Sequence, residues 1–98
     1  MADEALELAR AAAAAALATD GVRSLGKGRF SEAATYGAGE KVSGVVVTPE
    51  EVEVHVVAEY PITNPIPQLA ESIRERVGAR AGGRRTIVVV EDLEIGGT

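Results

Sequence analysis

Residues 52–77, VEVHVVAEYPITNPIPQLAESIRERV, decide the fold. The first half has a period of two. Val52, Val54, Val56, Ala58 and Tyr60 point one way, and Glu53, His55, Val57 and Glu59 point the other. That is a strand with one dry face and one mostly wet face. The second half has a helical period. Ile66, Leu69, Ala70, Ile73 and Val77 form a stripe, with Gln68, Glu71, Arg74 and Glu75 opposite. Pro61, Pro65 and Pro67 lie between the halves. Proline donates to neither a ladder nor a helix interior, but Pro67 suits a first helical turn. The stretch therefore reads as strand, Pro-rich turn and amphipathic helix, and the apolar run 86–90 after it supplies a second strand.

The 98-residue chain offers material for one modest core. A chain of this size buries roughly 60–65% of its unfolded surface. Hydrophobic residues make up 46% but aromatics only 3%, so Val, Ala, Leu and Ile must build the core, with little surface for stacking on bases or sugars. The absence of cysteine removes disulfides, thiolate metal sites and cysteine nucleophiles together. The acidic start lacks the basic character of a secretory signal. The uncharged run 11–19 is far short of the ~20 residues that span a bilayer, so no direct membrane span is expected. A net charge of −5 argues against non-specific nucleic-acid binding by the whole domain.

Residues 2–18 read as a helix, because alanine is the best helix former and nothing breaks the run 11–16. Asp3, Glu4 and Glu7 oppose its positive end. Leu6, Ala9, Ala13, Ala16 and Leu17 are the expected packing stripe. Gly21 is placed to end the helix in a left-handed conformation. The stretch 26–41 reads as a connection, a short strand at 32–36 and a turn at 37–39. Lys27 and Arg29 stand between glycines, but neither the phosphate-loop nor the dinucleotide spacing is met. A strand follows at 42–48, where Gly44 signals a bulge or a close backbone approach. A Thr48-Pro49 turn joins it to 52–60 as a hairpin. Gly78 or Gly82 is the expected cap of the second helix, and Glu91-Asp92 breaks the last strand's alternation as a bulge does.

Candidate chemistry is sparse. His55, the one histidine, shares its strand face with Glu53 and Glu59, and no further histidine or cysteine stands by to complete a metal site. A general base needs an oriented partner in a cleft. The expectation is a solvated polar face, without metal, cofactor or catalysis. No serine lies in a Gly-x-Ser-x-Gly elbow. The densest charge feature is Arg74, Arg76, Arg80, Arg84 and Arg85, half of the 10 basic residues. It reads either as a patch facing anions or an acidic partner, or as cations favoured at a helix C-terminus.

Taken in order, these pieces resemble the alkaline shock protein family of envelope stress response proteins. The resemblance runs over residues 8–93. Its pieces are the Ala-rich helix ending in Gly21-Val22-Arg23-Ser24-Leu25, then Gly44-Val45-Val46-Val47, then the 52–60 strand, the helix opened by Ile66-Pro67, and Val88-Val89-Val90-Glu91-Asp92-Leu93. The chain departs from the family after Tyr60, where a glycine is common and this chain has Pro61, and again across 26–41. The resemblance implies a non-enzymatic α+β domain of the bacterial cytoplasm, linked to cell-envelope stress. It implies self-association, or tethering near the membrane by a membrane-anchored partner, and brings no catalytic residues.

These readings give one domain over 1–98, of α+β class and order α-β-β-β-α-β. A mixed four-strand sheet carries two helices on one face. The crossover places the last strand parallel to the third, either beside it or beside the first. The expected function is a non-catalytic scaffold or adaptor that forms a homo-oligomer, with Ile87 and Val89 as the association surface. The alternative is a small RNA- or DNA-binding domain using the arginines, disfavoured by the acidic balance and the scarcity of aromatics.

Overall fold

Both periods of the 52–77 stretch are realised in the computed structural model of the chain, which describes residues 2–26, 28, 33–37, 39–62 and 64–95. The chain runs α1 (Ala2–Leu17), β1 (Val22–Leu25), β2 (Ala34–Gly37), β3 (Glu40–Ser43), β4 (Val45–Val47), β5 (Glu51–Tyr60), α2 (Ile66–Gly78) and β6 (Arg85–Ile95). This is a small α+β domain. The expected α-β-β-β-α-β succession holds, with its β stretches cut into shorter segments.

β5 is the axis of the sheet. β6 pairs with it in parallel along its whole length, which settles the last strand's place. The opposite edge of β5 is shared by two antiparallel strands. β4 takes the half from Val52 to Val54, and β1 takes the half from Val56 to Ala58. These strands form the mixed four-strand sheet, and β2–β3 is a separate hairpin. Both helices lie on the face of Val52, Val54, Val56 and Ala58, in one core with Leu69, Ile73 and Val77 of α2. Val54, Val56, Leu69 and Ile73 are buried, and Val88 packs against them partly buried. Burying such side chains contributes about 1.5–3 kcal/mol each.

α1 packs through Leu6, Ala9, Ala12 and Ala16, all buried, while Leu17 is 49% exposed. The stripe is thus rotated from the one expected. Its contact surface is nearly all alanine, which lets the helix axis approach the sheet closely. Gly21 takes φ 98, the left-handed stop. α2 begins after Pro65 with a proline in its first turn, as expected, but Gly78 is its last helical residue and Ala79 its cap.

The 42–48 strand divides at Gly44, whose φ is 89. Its first part pairs with β2 and its second with β5, so the hairpin expected from 42–60 involves β4 alone. The split follows from a strand exchange at His55. Its N–H donates to Gly44 O at 2.8 Å and its C=O accepts from Gly26 N–H at 2.7 Å. β1 and β4 therefore meet end to end there. A Cβ on Gly44 would stand 2.7 Å from Gly26 O and 2.8 Å from Leu25 Cβ, so only glycine fits. β1 itself was unforeseen, because four residues, VRSL, hold too little alternation to signal a strand. The strand expected at 32–36 starts at Ala34, and Glu32 lies outside the described residues, as do Lys27, Arg29 and Ala38. Thr35 fixes the β2–β3 hairpin to the sheet. Its buried hydroxyl donates to Val45 O at 2.7 Å and accepts from Val47 N–H at 3.2 Å.

Candidate functional site

β6 carries two features that leave the domain's own core, an edge and a face that are unpartnered among the described residues. Through Val90 it alternates. Val88 and Val90 face the helices and pack on the core, while Ile87 and Val89 lie beside Glu53 and His55 on the face that carries no helix among the described residues. The sequence-expected association residues, Ile87 and Val89, thus stand together on that open face, each half-buried. Glu91 is an extra residue. Val56 pairs with Val90 and Val57 with Asp92, so β6 bulges there, as the broken alternation predicts.

The bulge turns Glu91 across the open face onto β5. Its carboxylate Oε2 lies 2.8 Å from His55 Nδ1 and accepts Gly28 N–H at 2.6 Å. Glu53 Oε2 lies 2.6 Å from His55 Nε2. The His55 side chain is 13% exposed, so the solvated polar face expected around it is not what forms. It is clamped between two carboxylates, and Glu59 plays no part in the clamp. Neutral imidazole has one N–H, so both contacts are N–H donations only when the ring carries both protons. Each carboxylate meets a different ring nitrogen, and no group among the described residues converges as metal ligands do. The clamp joins β5, β6 and the segment after β1 across the place where β1 and β4 meet. Sequence spacing could pair His55 with Glu53, but the 36-residue separation from Glu91 hid the other half.

The arginine run does not fold into one patch. Arg84 turns inward, with Nε donating to Thr48 O at 2.9 Å and Nη1 to Ala81 O at 3.4 Å. It latches the loop after α2 to the β4–β5 turn. Arg85 reaches toward Glu51 at 3.7 Å, and Arg74 pairs with Glu71 one turn earlier on α2. Arg76 and Arg80 lie elsewhere, on a shallow groove between the helices floored by Ala11, Ala14, Ala15 and Ala18. Structural duties and ion pairs thus claim part of the run, and Arg76 and Arg80 share the groove.

A cleft of about 330 Å³ opens where β5 runs into α2, bounded by Tyr60, Ile62, Ile66 and Leu69 with Asp20 and Glu59 at its polar side. Its rim is apolar and exposed at Tyr60 and Ile62. No helix among the described residues is long and apolar enough to cross a membrane. No family model, curated protein or solved structure matches the chain.

Proposed function

We propose that the chain is a non-catalytic interaction domain that works by self-association, as a scaffold or adaptor. The observation that carries this reading is the eleven-residue strand β6, which lies at the edge of the sheet with its outer side unpaired among the described residues. An open edge of that length is a template for another strand. Half-buried Ile87 and Val89 beside it add apolar surface that the chain's own helices do not cover. The resemblance to envelope stress response proteins supplies the setting: the bacterial cytoplasm, with a membrane-anchored partner as the route to the envelope. The nucleic-acid alternative has less support, since Arg84 is spent on Thr48 and Ala81, Arg74 and Arg85 lie against Glu71 and Glu51, and Arg76 and Arg80 are left to share one groove. Light scattering across a concentration series tests the reading. Dimer or larger mass at micromolar protein is expected, and a monomer persisting at high micromolar concentration overturns it.

A further inference from the structure

The hydrogen-bonding groups on the outer edge of β6 have a fixed phase. Arg85 N–H bonds inward to Glu50 O at 2.9 Å. In a parallel pair alternate residues bond to the same neighbour, so Arg85, Ile87 and Val89 point their N–H and C=O groups at β5. Those of Thr86, Val88 and Val90 point away from the sheet. Beyond the bulge the edge changes character. Leu93 N–H is taken by Asp92 Oδ1 at 2.8 Å, and Asp92 and Glu94 make that half acidic. Charge and local capping are how natural edges resist pairing. The template that remains is residues 86–90.

Charge is polarised along the same strand. Arg84 and Arg85 stand at one end, and Glu91, Asp92 and Glu94 at the other. A parallel copy would set like charges side by side, whereas an antiparallel copy sets unlike ends together. Side-chain direction then limits the register. Opposed residues must face the same side, so the two-fold axis has to pass through a residue and not between two. With the axis at Ile87, Arg85 opposes Val89. With the axis at Val89, Ile87 opposes Glu91. With the axis at Val88, Arg85 opposes the acidic bulge and Ile87 opposes Val89.

We infer that two copies of this chain pair β6 to β6, antiparallel, about a two-fold axis at Val88; this rests on the association reading above and specifies its partner and geometry. Val88 exchanges both N–H···O bonds with the partner's Val88, and Thr86 does so with the partner's Val90. Ile87 packs on the partner's Val89 in the close, non-hydrogen-bonded position on the open face. Arg85 lies across from the partner's Glu91 and Asp92. The two sheets become one continuous sheet, and the closed symmetry ends the assembly at two.

The chain has no cysteine, so single-cysteine scanning reads the register directly. At the axis the two Cα atoms of residue 88 lie about 5.5 Å apart, within disulfide reach. Equivalent residues at 87 or 89 are diagonal neighbours about 7–8 Å apart, and at 86 about 13 Å apart. Under mild oxidation Val88→Cys should become a covalent dimer, while Thr86→Cys, Ile87→Cys and Val89→Cys stay separable. Arg85→Glu, which leaves the core untouched, should weaken the dimer roughly tenfold, most at low salt. A wild-type chain that scatters as a monomer overturns the association reading and this register together. A wild-type dimer in which another position cross-links best, or in which Arg85→Glu strengthens pairing, overturns the register alone.

Discussion

Replacing Gly44 by alanine tests the strand exchange on which the sheet depends. Two costs add at this position. Its φ of 89 is a left-handed conformation that an L-residue adopts at about 1–2 kcal/mol. The new Cβ would also stand 2.7 Å from Gly26 O and 2.8 Å from Leu25 Cβ. Neither neighbour can yield freely. Gly26 N–H is bonded to His55 O at 2.7 Å, and Gly44 itself donates to Ala33 O at 2.7 Å and accepts from His55 N–H. Relieving the overlap breaks at least one of these bonds or moves β1 off β5, at about 1–3 kcal/mol. The sum is about 2–5 kcal/mol, a large share of the ~5–15 kcal/mol that stabilises an ordinary domain. Two further alanine substitutions separate the terms. Gly39 has φ 79 with nothing within 4 Å of its Cβ position, so Gly39→Ala should lose the conformational term alone. Gly78 ends α2 and its Cβ would meet only Thr86 Oγ1 at 3.7 Å, so Gly78→Ala should be neutral or stabilising by up to about 1 kcal/mol. Urea unfolding followed by circular dichroism gives all three. A Gly44→Ala loss no larger than that of Gly39→Ala would refute the claim that β1 and β4 meet in contact at His55.

Ile73→Ala removes a fully buried side chain from the helix–sheet core and should cost about 2–5 kcal/mol in denaturation; a change under about half a kcal/mol means α2 presents a different face. Thr35→Val keeps the shape but strips the hydroxyl from Val45 O and Val47 N–H, and about 1–3 kcal/mol should be lost. Hydrogen exchange should quicken at Val47 first, and unchanged protection there contradicts the docking of the hairpin. His55→Ala leaves Glu53 and Glu91 facing each other across the open face, so stability should fall by about 1–2 kcal/mol at neutral pH. The His55→Ala, Glu91→Gln double variant should recover part of that loss, and strict additivity of the two changes would show that His55 and Glu91 are not coupled.

The sequence disclosed what repeats and concealed what happens once. β5 and α2 each repeat one period several times, and their buried faces were legible except at the end of β5, where Val57 is buried and Tyr60 is exposed. The bulge was legible too, because Glu91 and Asp92 interrupt a long alternation. α1 was legible as a helix but not in phase. A run of alanines weights every face almost equally, and the phase is set instead by which side the sheet occupies. β1 was lost because a four-residue strand is defined by its neighbour and not by its own pattern. The arginines illustrate a different limit. Proximity in sequence suggested one patch, yet the turn after α2 sends Arg84 inward toward Thr48 while Arg76 stays on the helix. His55 shows the same limit in reverse, since its second carboxylate arrives from a strand that only the parallel crossover brings alongside.

The inserted Glu91 also decides which surface of the sheet is left for a partner. Had β6 kept its alternation, Leu93 and Ile95 would share the open face with Ile87 and Val89, an apolar band interrupted only at Glu91. A second sheet packed face to face would be the natural cover for such a band. The bulge prevents this. It moves Leu93 and Ile95 to the helix side, opposite Ala58 and Tyr60, where Ile95 is left 70% exposed. Glu91 stays on the open face and is bound there to His55 and Gly28. The apolar surface on that face therefore stops at Val89, too narrow for a sheet-on-sheet interface and next to a charged clamp. What continues past it is backbone, the outward N–H and C=O groups of Thr86, Val88 and Val90. That is why the association is assigned to the edge of β6 and not to the face beside it.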